Sequence, residues 1–149
     1  METLKVSGTL NAVEAVIQYA LTAAHQAGLN EQGLHRVRLA VDEIATNIVT
    51  HGYAEAGLSG DLVISASYDE KQLTIYLEDT GKEYDPRHAP PPDLTTPSEK
   101  RPLGGLGIYL ALWAVDQFHY EHKQDRNRSI LIMQKSCVHP SCQETPTLP

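Results

Sequence analysis

The chain has 149 residues, 41% hydrophobic and 21% charged, a composition typical of one globular domain and not of a fibrous or disordered protein. Twelve lysine and arginine residues against nineteen aspartate and glutamate residues give a formal net charge of −7. An acidic surface repels nucleic acid and anionic lipid, so direct contact with nucleic acid is not expected. The sequence has no apolar run of the roughly 18 residues that indicate a membrane span and no signal-peptide pattern, so we expect no membrane association and a cytoplasmic protein.

The first part of the chain predicts a strand followed by two helices. Residues 4–9 alternate apolar and polar side chains as a short half-buried strand does, and Asn11 is placed to cap the next helix. Apolar residues at three- and four-residue spacing carry that helix to Gly28, where glycine suits a left-handed cap. A second amphipathic helix is predicted from near Glu31 to around Gly52.

A hairpin and a proline-rich loop come next. Residues 62–68 and 73–77 alternate with period two on either side of a polar turn, which predicts two antiparallel neighbouring strands. Six of the nine prolines fall between Pro86 and Pro102, where apolar residues are almost absent. Segments of this kind are often functional lids or disordered segments, and we interpret residues 86–103 as a lid loop that orders when a nucleotide binds.

A third helix and a second hairpin are predicted after the loop. Glycines open the helix at 104–107, and its apolar face comprises Ile108, Leu112 and Val115. The hairpin is predicted to pair residues 118–121 with 129–133 and to turn at 125–127.

This order of elements lacks regular βαβ alternation and therefore predicts an α+β fold. We expect a two-layer α/β sandwich with a mixed, mostly antiparallel sheet and helices on one face. One domain is expected over residues 1–135, and a flexible tail over 136–149. In the tail, Cys137 and Cys142 flank His139, which is either a pair of reduced thiols or an incomplete set of metal ligands.

The second predicted helix carries a ribbon of polar residues four apart, Glu43, Asn47 and His51, beside its apolar stripe. A carboxylate one turn from an amide can activate a hydroxyl group while the amide oxygen binds Mg²⁺. Ordinary solvated helix surface explains Glu43 and Asn47 equally well, and a histidine at a helix end can simply be a cap.

Two further segments have the residue types of a nucleotide site. Asp79 ends a predicted strand just before Gly81, so its carboxylate can accept a hydrogen bond from an exocyclic amine while the glycine backbone lies against a flat ring. The same residues also form ordinary turns. Gly104, Gly105 and Gly107 stand at a helix start, where free N–H groups favour phosphate, and the absence of a following Lys-Ser or Lys-Thr excludes a P-loop.

In this order, the three segments resemble the motifs of the Bergerat-fold ATPases, the superfamily of gyrase, histidine kinases and MutL. Residues 38–53 resemble the N box, residues 78–86 the first glycine box, and residues 104–110 the second. The short chain, the His-Gly-Tyr ending of the N box and the lid are most similar to the anti-sigma-factor serine kinases, which phosphorylate a STAS-domain anti-anti-sigma factor. The resemblance covers residues 4–135 and implies the Bergerat ATP-binding fold.

The resemblance also implies roles for single residues. Glu43 would be the general base for the attacking serine hydroxyl, and Asn47 would hold Mg²⁺ against the phosphates of ATP. Asp79 would bind the adenine amine, and Gly81 would let the ring approach. The other members of the implied nucleotide site are His51 as support, Asp85 in the first glycine box, Gly104, Gly105, Leu106 and Gly107 around the phosphates, and Ser129 near the adenine.

The sequence departs from the family pattern at two places. Lys82 and Glu83 stand where many members keep a second glycine, which changes how the loop reaches over the nucleotide. Gly105 stands where several members have arginine, so one phosphate contact is either missing or supplied by Lys100 or Arg101. Neither departure removes the residues that would bind adenine or activate the hydroxyl.

The leading hypothesis is an ATP- and Mg²⁺-dependent protein-serine kinase that acts on a STAS-domain partner, binds a sigma factor and, by the resemblance, forms a homodimer. The alternative is a non-catalytic module in which bound nucleotide only shapes a surface for a partner. Such a module would tolerate loss of Glu43 but not of Asp79, because binding needs no base. A histidine-kinase catalytic domain is less expected, since no phosphoacceptor helix precedes the first strand.

Overall fold

The computed structural model describes residues 1–88 and 105–135, and every structural statement below refers to them. The helices and strands are, in chain order, β1 (Leu4–Ser7), α1 (Val13–Ala27), α2 (Glu31–Asn47), β2 (Asp61–Tyr68), β3 (Gln72–Asp79), α3 (Gly105–Ala114), β4 (Gln117–Lys123) and β5 (Arg126–Gln134). The predicted order of elements is confirmed. Most of the predicted lid, Gly104 and the predicted tail with its two cysteines lie outside the described residues.

The strands form one five-stranded sheet in the order β1-β2-β3-β5-β4. Every pairing is antiparallel, so the α+β class is confirmed and the sheet is purely antiparallel instead of mixed. The central strand β3 pairs with β2 on one side and β5 on the other, which places Asp79 opposite Leu62 and Asn127. The C-terminal end of β3, which carries Asp79, therefore lies between two neighbouring strands.

The three helices and one face of the sheet share a single core. Alternate residues of β2, β3 and β5 are buried on that face, and α2 packs between α1 and α3. The apolar stripe of α2 lies against this core, with Val37, Val41, Ile44 and Ile48 all buried. Because the polar ribbon borders this stripe, the packing of the stripe fixes the ribbon beside the core.

The helix ends follow local capping chemistry, with one correction. Gly28 ends α1 in the left-handed region with φ 89°, as predicted. The Asn30 side chain caps α2 by accepting a hydrogen bond from the Gly33 N–H at 2.9 Å. The prediction that Asn11 caps α1 is wrong, because a 3₁₀ turn over Leu10–Ala12 precedes the helix and its N-cap residue, Ala12, has no side-chain cap.

Helix α2 ends at Asn47 and continues as a π-helical segment, Ile48–Ala54, instead of stopping around Gly52. Tyr53 fixes this segment to the sheet. Its hydroxyl accepts a hydrogen bond from the Thr80 N–H at 2.8 Å and donates one to the Asp61 carbonyl at 2.6 Å. The wider π turn is thus joined to the end of β3 and the start of β2, and such segments are frequent at functional sites.

The last hairpin turns earlier than predicted. Gln124 and Asp125 have φ values of 53° and 61°, the conformation of a two-residue primed hairpin turn. The turn residues Asp125 and Asn127 suggested a turn at 125–127, but the actual turn leaves Asn127 inside β5. This correction matters because Asn127 becomes part of the buried face of the sheet.

A buried ion pair fixes the end of α3. The Arg36 guanidinium lies 3.4 Å from the Asp116 carboxylate and donates a hydrogen bond to the Ala114 carbonyl at 3.3 Å. Asp116 also accepts a hydrogen bond from the Gln134 N–H at 2.7 Å. These contacts join α2, α3 and β5 at one point, so α3 is held against α2.

Candidate functional site

A groove runs where the end of α2, the end of β3 and strand β5 meet. Its inner part is a small, partly enclosed cavity that opens towards the rest of the groove. The polar residues lining this cavity are Asn47, Asp79, Lys82, Tyr84, Tyr120, Asn127 and Ser129. An open pocket with Glu43 and His51 shares Asn47 with the cavity, and a second open pocket shares Lys82 and Tyr84 with it. The predicted polar ribbon and the predicted strand-end carboxylate therefore face one groove.

Asp79 is the most enclosed acidic group of the groove, with only 5% of the residue exposed. One carboxylate oxygen, Oδ1, accepts hydrogen bonds from the Gly81 N–H at 2.9 Å and from the Asn127 side-chain amide at 2.8 Å. Burial raises the pKa of Asp79, and these hydrogen bonds oppose that rise by stabilising the charged form. The site thus contains a buried carboxylate acceptor at the wall of a cavity.

Asn127 is the functional candidate that the sequence reasoning missed. It is 2% exposed, and its amide nitrogen donates to Asp79 Oδ1 and to the Gly81 carbonyl at 2.9 Å. Its amide oxygen accepts from the Tyr120 hydroxyl and lies 2.7 Å from His122 Nδ1. The signal in the sequence was the period-two pattern that starts at Asn127 and continues through Ser129.

Gly81 lies directly against the backbone of the π-helical segment. A Cβ atom at Gly81 would lie 2.6 Å from the Gly52 carbonyl oxygen, far inside van der Waals contact. The same Gly52 carbonyl accepts a hydrogen bond from the Lys82 N–H at 2.8 Å. The structure therefore gives Gly81 a packing role at this site, beside the predicted role of admitting the adenine ring.

Glu43 lies at the other end of the groove, next to the start of α3. A Cβ atom at Gly107 would overlap the Glu43 carboxylate, so only glycine fits at this position with Glu43 where it is. Burial, and then the nearby charge of Asp42, raise the pKa of Glu43. A carboxylate with a raised pKa beside a helix start has the properties of a general base at a phosphate site.

Asn47 lies between these two ends, lining both the cavity of Asp79 and the pocket of Glu43. Its amide oxygen is a ligand type that suits Mg²⁺, which keeps several waters and binds phosphate oxygens besides one or two protein ligands. In the part of the chain that the structure describes, no group of three or more His, Cys, Asp or Glu side chains is arranged to hold a metal. Asn47 therefore offers the groove one oxygen ligand of this type.

The family of the chain follows from comparison with known proteins. Residues 6–135 match the family model described as histidine kinase-like ATPase domain. The chain belongs to this family. Proteins named serine-protein kinase RsbW from Bacillus thuringiensis and Bacillus cereus are each 30% identical to it over 115 residues, 74% of this chain and 71% of theirs.

The same fold is found in a solved structure. A crystal structure of the RsbU and RsbW domains of a Mycobacterium tuberculosis protein matches 89% of this chain and 32% of its own with a TM-score of 0.58 and 18% identity. For this histidine kinase-like ATPase domain, the predicted Bergerat fold and the predicted likeness to a family of serine-protein kinases are confirmed. In the described ranges, no helix has the length and apolar character to cross a membrane.

His51 of the ATPase domain lies in the open part of the groove and pairs with a residue that sequence reasoning did not select. Its Nδ1 atom is 2.6 Å from the Glu55 carboxylate, four residues later in the π-helical segment. The His51 ring also lies 6.4 Å from the ring of Tyr84, centroid to centroid. Glu55 thus continues the ribbon that begins at Glu43 along the open part of the groove.

Of the remaining predicted residues, one lines the inner cavity and one does not. Ser129 is buried and lines the cavity. Asp85 does not belong to the described lining; its carboxylate accepts hydrogen bonds from the Arg87 guanidinium, the shortest at 2.7 Å, and so holds the turn over Pro86–His88. Burial raises the pKa of Asp85, and the contacts with Arg87 outweigh it and lower the pKa below its ordinary value.

The second glycine box is described in part. Gly105, Leu106 and Gly107 form the first residues of α3, while Gly104 and the two lid cations Lys100 and Arg101 lie outside the described residues. Lys82, which departs from the family pattern, lines both the inner cavity and one open pocket. A cation is therefore available to the groove from the first glycine box itself.

Proposed function

We propose that the chain is an ATP- and Mg²⁺-dependent protein-serine kinase that phosphorylates a STAS-domain anti-anti-sigma factor and also binds a sigma factor. The contact between Gly107 and the Glu43 carboxylate carries the proposal. It brings the start of α3, which suits phosphate, to the carboxylate that would activate a hydroxyl. A module that only bound nucleotide would have no need for a base at that place.

The two ends of the groove suit the two ends of ATP. The adenine would occupy the cavity of Asp79, where the carboxylate accepts a hydrogen bond from the exocyclic amine. The phosphates would lie towards Glu43, over the N–H groups that begin α3 at Gly105. Asn47, between the two ends, would hold Mg²⁺, which neutralises phosphate charge when bound.

Phosphoryl transfer depends mainly on positioning and on stabilising charge. Glu43 accepts the proton of the serine hydroxyl as the serine oxygen forms its bond to the γ-phosphorus. The bond from that phosphorus to the bridging oxygen of ADP breaks, and the electron pair leaves with ADP. The raised pKa of Glu43 strengthens it as a base towards a hydroxyl group.

The partners belong to the same proposal. The relatives named serine-protein kinase support a protein serine as the acceptor. The likeness of the N box, the glycine boxes and the lid to the anti-sigma-factor serine kinases supports a STAS-domain protein as substrate, a sigma factor as second partner, and a homodimer. The open pocket beside Glu43 leaves the base accessible from outside the chain.

The decisive experiment incubates the purified protein with [γ-³²P]ATP, Mg²⁺ and STAS-domain proteins from the same genome. One of them should be labelled by the wild type, and Glu43→Gln should lower the initial rate by about 10²- to 10⁴-fold while still binding ATP. Glu31→Gln is the matched control, because it removes an exposed carboxylate at the other end of the same helix. Undiminished labelling by Glu43→Gln would refute the assigned base, and ATP binding without any labelling would favour the non-catalytic module.

A further inference from the structure

We propose that Asn127 is a positioning residue that makes the nucleotide site selective for an exocyclic amine, by fixing which oxygen of Asp79 faces the bound base. The two residues stand directly opposite each other in the β3–β5 register, at the inner end of the groove, and both line the cavity. The inference rests on the proposed function in one respect, the placement of the adenine in this cavity.

The orientation of the Asn127 amide is fully determined by its surroundings. A side-chain amide offers two N–H donors and an oxygen that accepts two hydrogen bonds, and all four positions are used here. The donors meet Asp79 and the Gly81 carbonyl, and the oxygen meets Tyr120 and His122. A rotation that exchanged nitrogen and oxygen would point the amide oxygen at two other acceptors, so one orientation is strongly preferred.

This fixed amide determines the orientation of the carboxylate. Both hydrogen bonds that Asp79 accepts from the described residues end on Oδ1, one from the Gly81 N–H and one from Asn127. Rotation of the carboxylate would break both of them in a buried place, where an unmade hydrogen bond is costly. Oδ2 is therefore the oxygen left to accept a hydrogen bond from a ligand amine.

Asn127 also connects the base-binding carboxylate to the loop that leads to the predicted lid. The Tyr120 hydroxyl, which donates to the Asn127 oxygen at 2.7 Å, accepts a hydrogen bond from the Tyr84 N–H at 3.1 Å. Tyr84 is itself part of the cavity lining. One side chain thus holds both the carboxylate and, through Tyr120, the adjacent loop in register with it.

A positioning role and a space-filling role give different results with two nucleotides. ATP has the exocyclic amine, and purine riboside triphosphate lacks it but keeps the ring and the phosphates. If Asn127 acts through Asp79, Asn127→Ala should weaken ATP binding roughly tenfold, the scale of one hydrogen bond to a charged group, and change purine riboside triphosphate binding little. The ratio of the Kd for purine riboside triphosphate to the Kd for ATP should therefore fall roughly tenfold.

The experiment measures both Kd values calorimetrically for the full chain, with the thermal midpoint of each variant recorded. Asn11→Ala, a matched change in an exposed turn, should leave the ratio unaltered. Tyr120→Phe removes one contact of the Asn127 oxygen without touching Asp79, so it should lower the ratio by a smaller factor even where Asn127→Ala folds poorly.

Equal weakening of both nucleotides by Asn127→Ala, or an unchanged ratio in both variants, would overturn the positioning role. A wild type that binds the two nucleotides equally would also overturn it, while leaving ATP binding and the kinase proposal intact. A wild type that binds neither would overturn both proposals.

Discussion

The two ends of the groove hold their carboxylates in different ways. At the inner end, Asp79 is buried and receives hydrogen bonds from a backbone N–H and from Asn127, and the glycine beside it packs on the backbone of Gly52. At the outer end, Glu43 is only half-buried, and its carboxylate occupies the space that a Cβ atom at Gly107 would fill. The inner end is built by strand pairing, whereas the outer end depends on how α3 begins.

The same difference explains the two pKa shifts. Burial raises the pKa of both carboxylates, but hydrogen bonds oppose the rise at Asp79, whereas the charge of Asp42 adds to it at Glu43. A carboxylate that keeps its charge accepts a stronger hydrogen bond from an amine, and a carboxylate with a raised pKa is a stronger base. One end is therefore suited to binding and the other to proton transfer.

Of the substitutions that distinguish the two ends, Gly107→Ala should have the largest effect, and this effect should be on catalysis at the outer end. The added Cβ would displace the Glu43 carboxylate, which is the end of a flexible side chain, so the fold should survive. We expect the rate of phosphoryl transfer to fall by about 10²-fold or more, with ATP affinity nearly unchanged. Because alanine favours a helix interior over glycine by about 0.5–1 kcal/mol, the thermal midpoint should stay the same or rise.

A double-mutant cycle tests whether the alanine acts through Glu43. In the Glu43→Gln background, Gly107→Ala should cause little further loss of transfer, because the base is already gone. A further loss as large as the first would mean that Gly107 matters through the phosphates and not through the carboxylate.

Gly81→Ala should affect the inner end, because it destabilises the packing of the fold there. Its Cβ would meet the Gly52 carbonyl, which is backbone and cannot move aside as a carboxylate can. We expect a loss of about 1–3 kcal/mol in the free energy of unfolding, the usual cost of overpacking, together with weaker ATP binding. Denaturant titration and calorimetry measure the two effects, and an unchanged stability would contradict the close packing of these two glycines.

Lys82→Gln tests whether this lysine contacts the phosphates or the base of a bound nucleotide. Lys82 lines both the inner cavity and an open pocket, in a groove that otherwise presents several carboxylates. We expect ATP affinity to fall a few-fold, with less effect at high salt because the lysine is exposed, and adenosine affinity to stay the same. Lys123→Gln, an exposed lysine at the end of β4, is the matched control. Equal weakening of ATP and adenosine would assign Lys82 to the base instead of the phosphates.

The sequence predicted the outer end better than the inner one. Glu43, Asn47 and His51 follow helical periodicity, and α2 with the π-helical segment places them along one groove. Asn127 was missed because aspartate and asparagine are common turn residues, so the turn was predicted at 125–127. The actual turn has positive φ values at Gln124 and Asp125, where the sequence has no glycine to indicate them.

Contacts between elements distant in sequence were also beyond pattern reasoning. The approach of Gly81 to Gly52 and the approach of Gly107 to Glu43 depend on how α2, β3 and α3 pack together. Periodicity states which face of an element is buried but not which residue it meets there. The order of elements and the α+β class, in contrast, follow from local patterns, and these predictions were correct.

The smallest expected effect concerns pH at the outer end. Glu43 must be deprotonated to accept the serine proton, and its pKa lies above the ordinary 4.5, so the transfer rate should fall on the acid side at a higher pH than for an ordinary carboxylate. Asp42→Asn removes the second cause of the shift and leaves burial in place. The acid limb should therefore move to lower pH, with a small decrease of the rate at neutral pH because the base is slightly weaker. Single-turnover rates at saturating ATP report this limb separately from binding at Asp79, whose pKa is also raised. A limb that moved to higher pH, or that stayed in place while ATP affinity changed, would mean that a group other than Glu43 titrates.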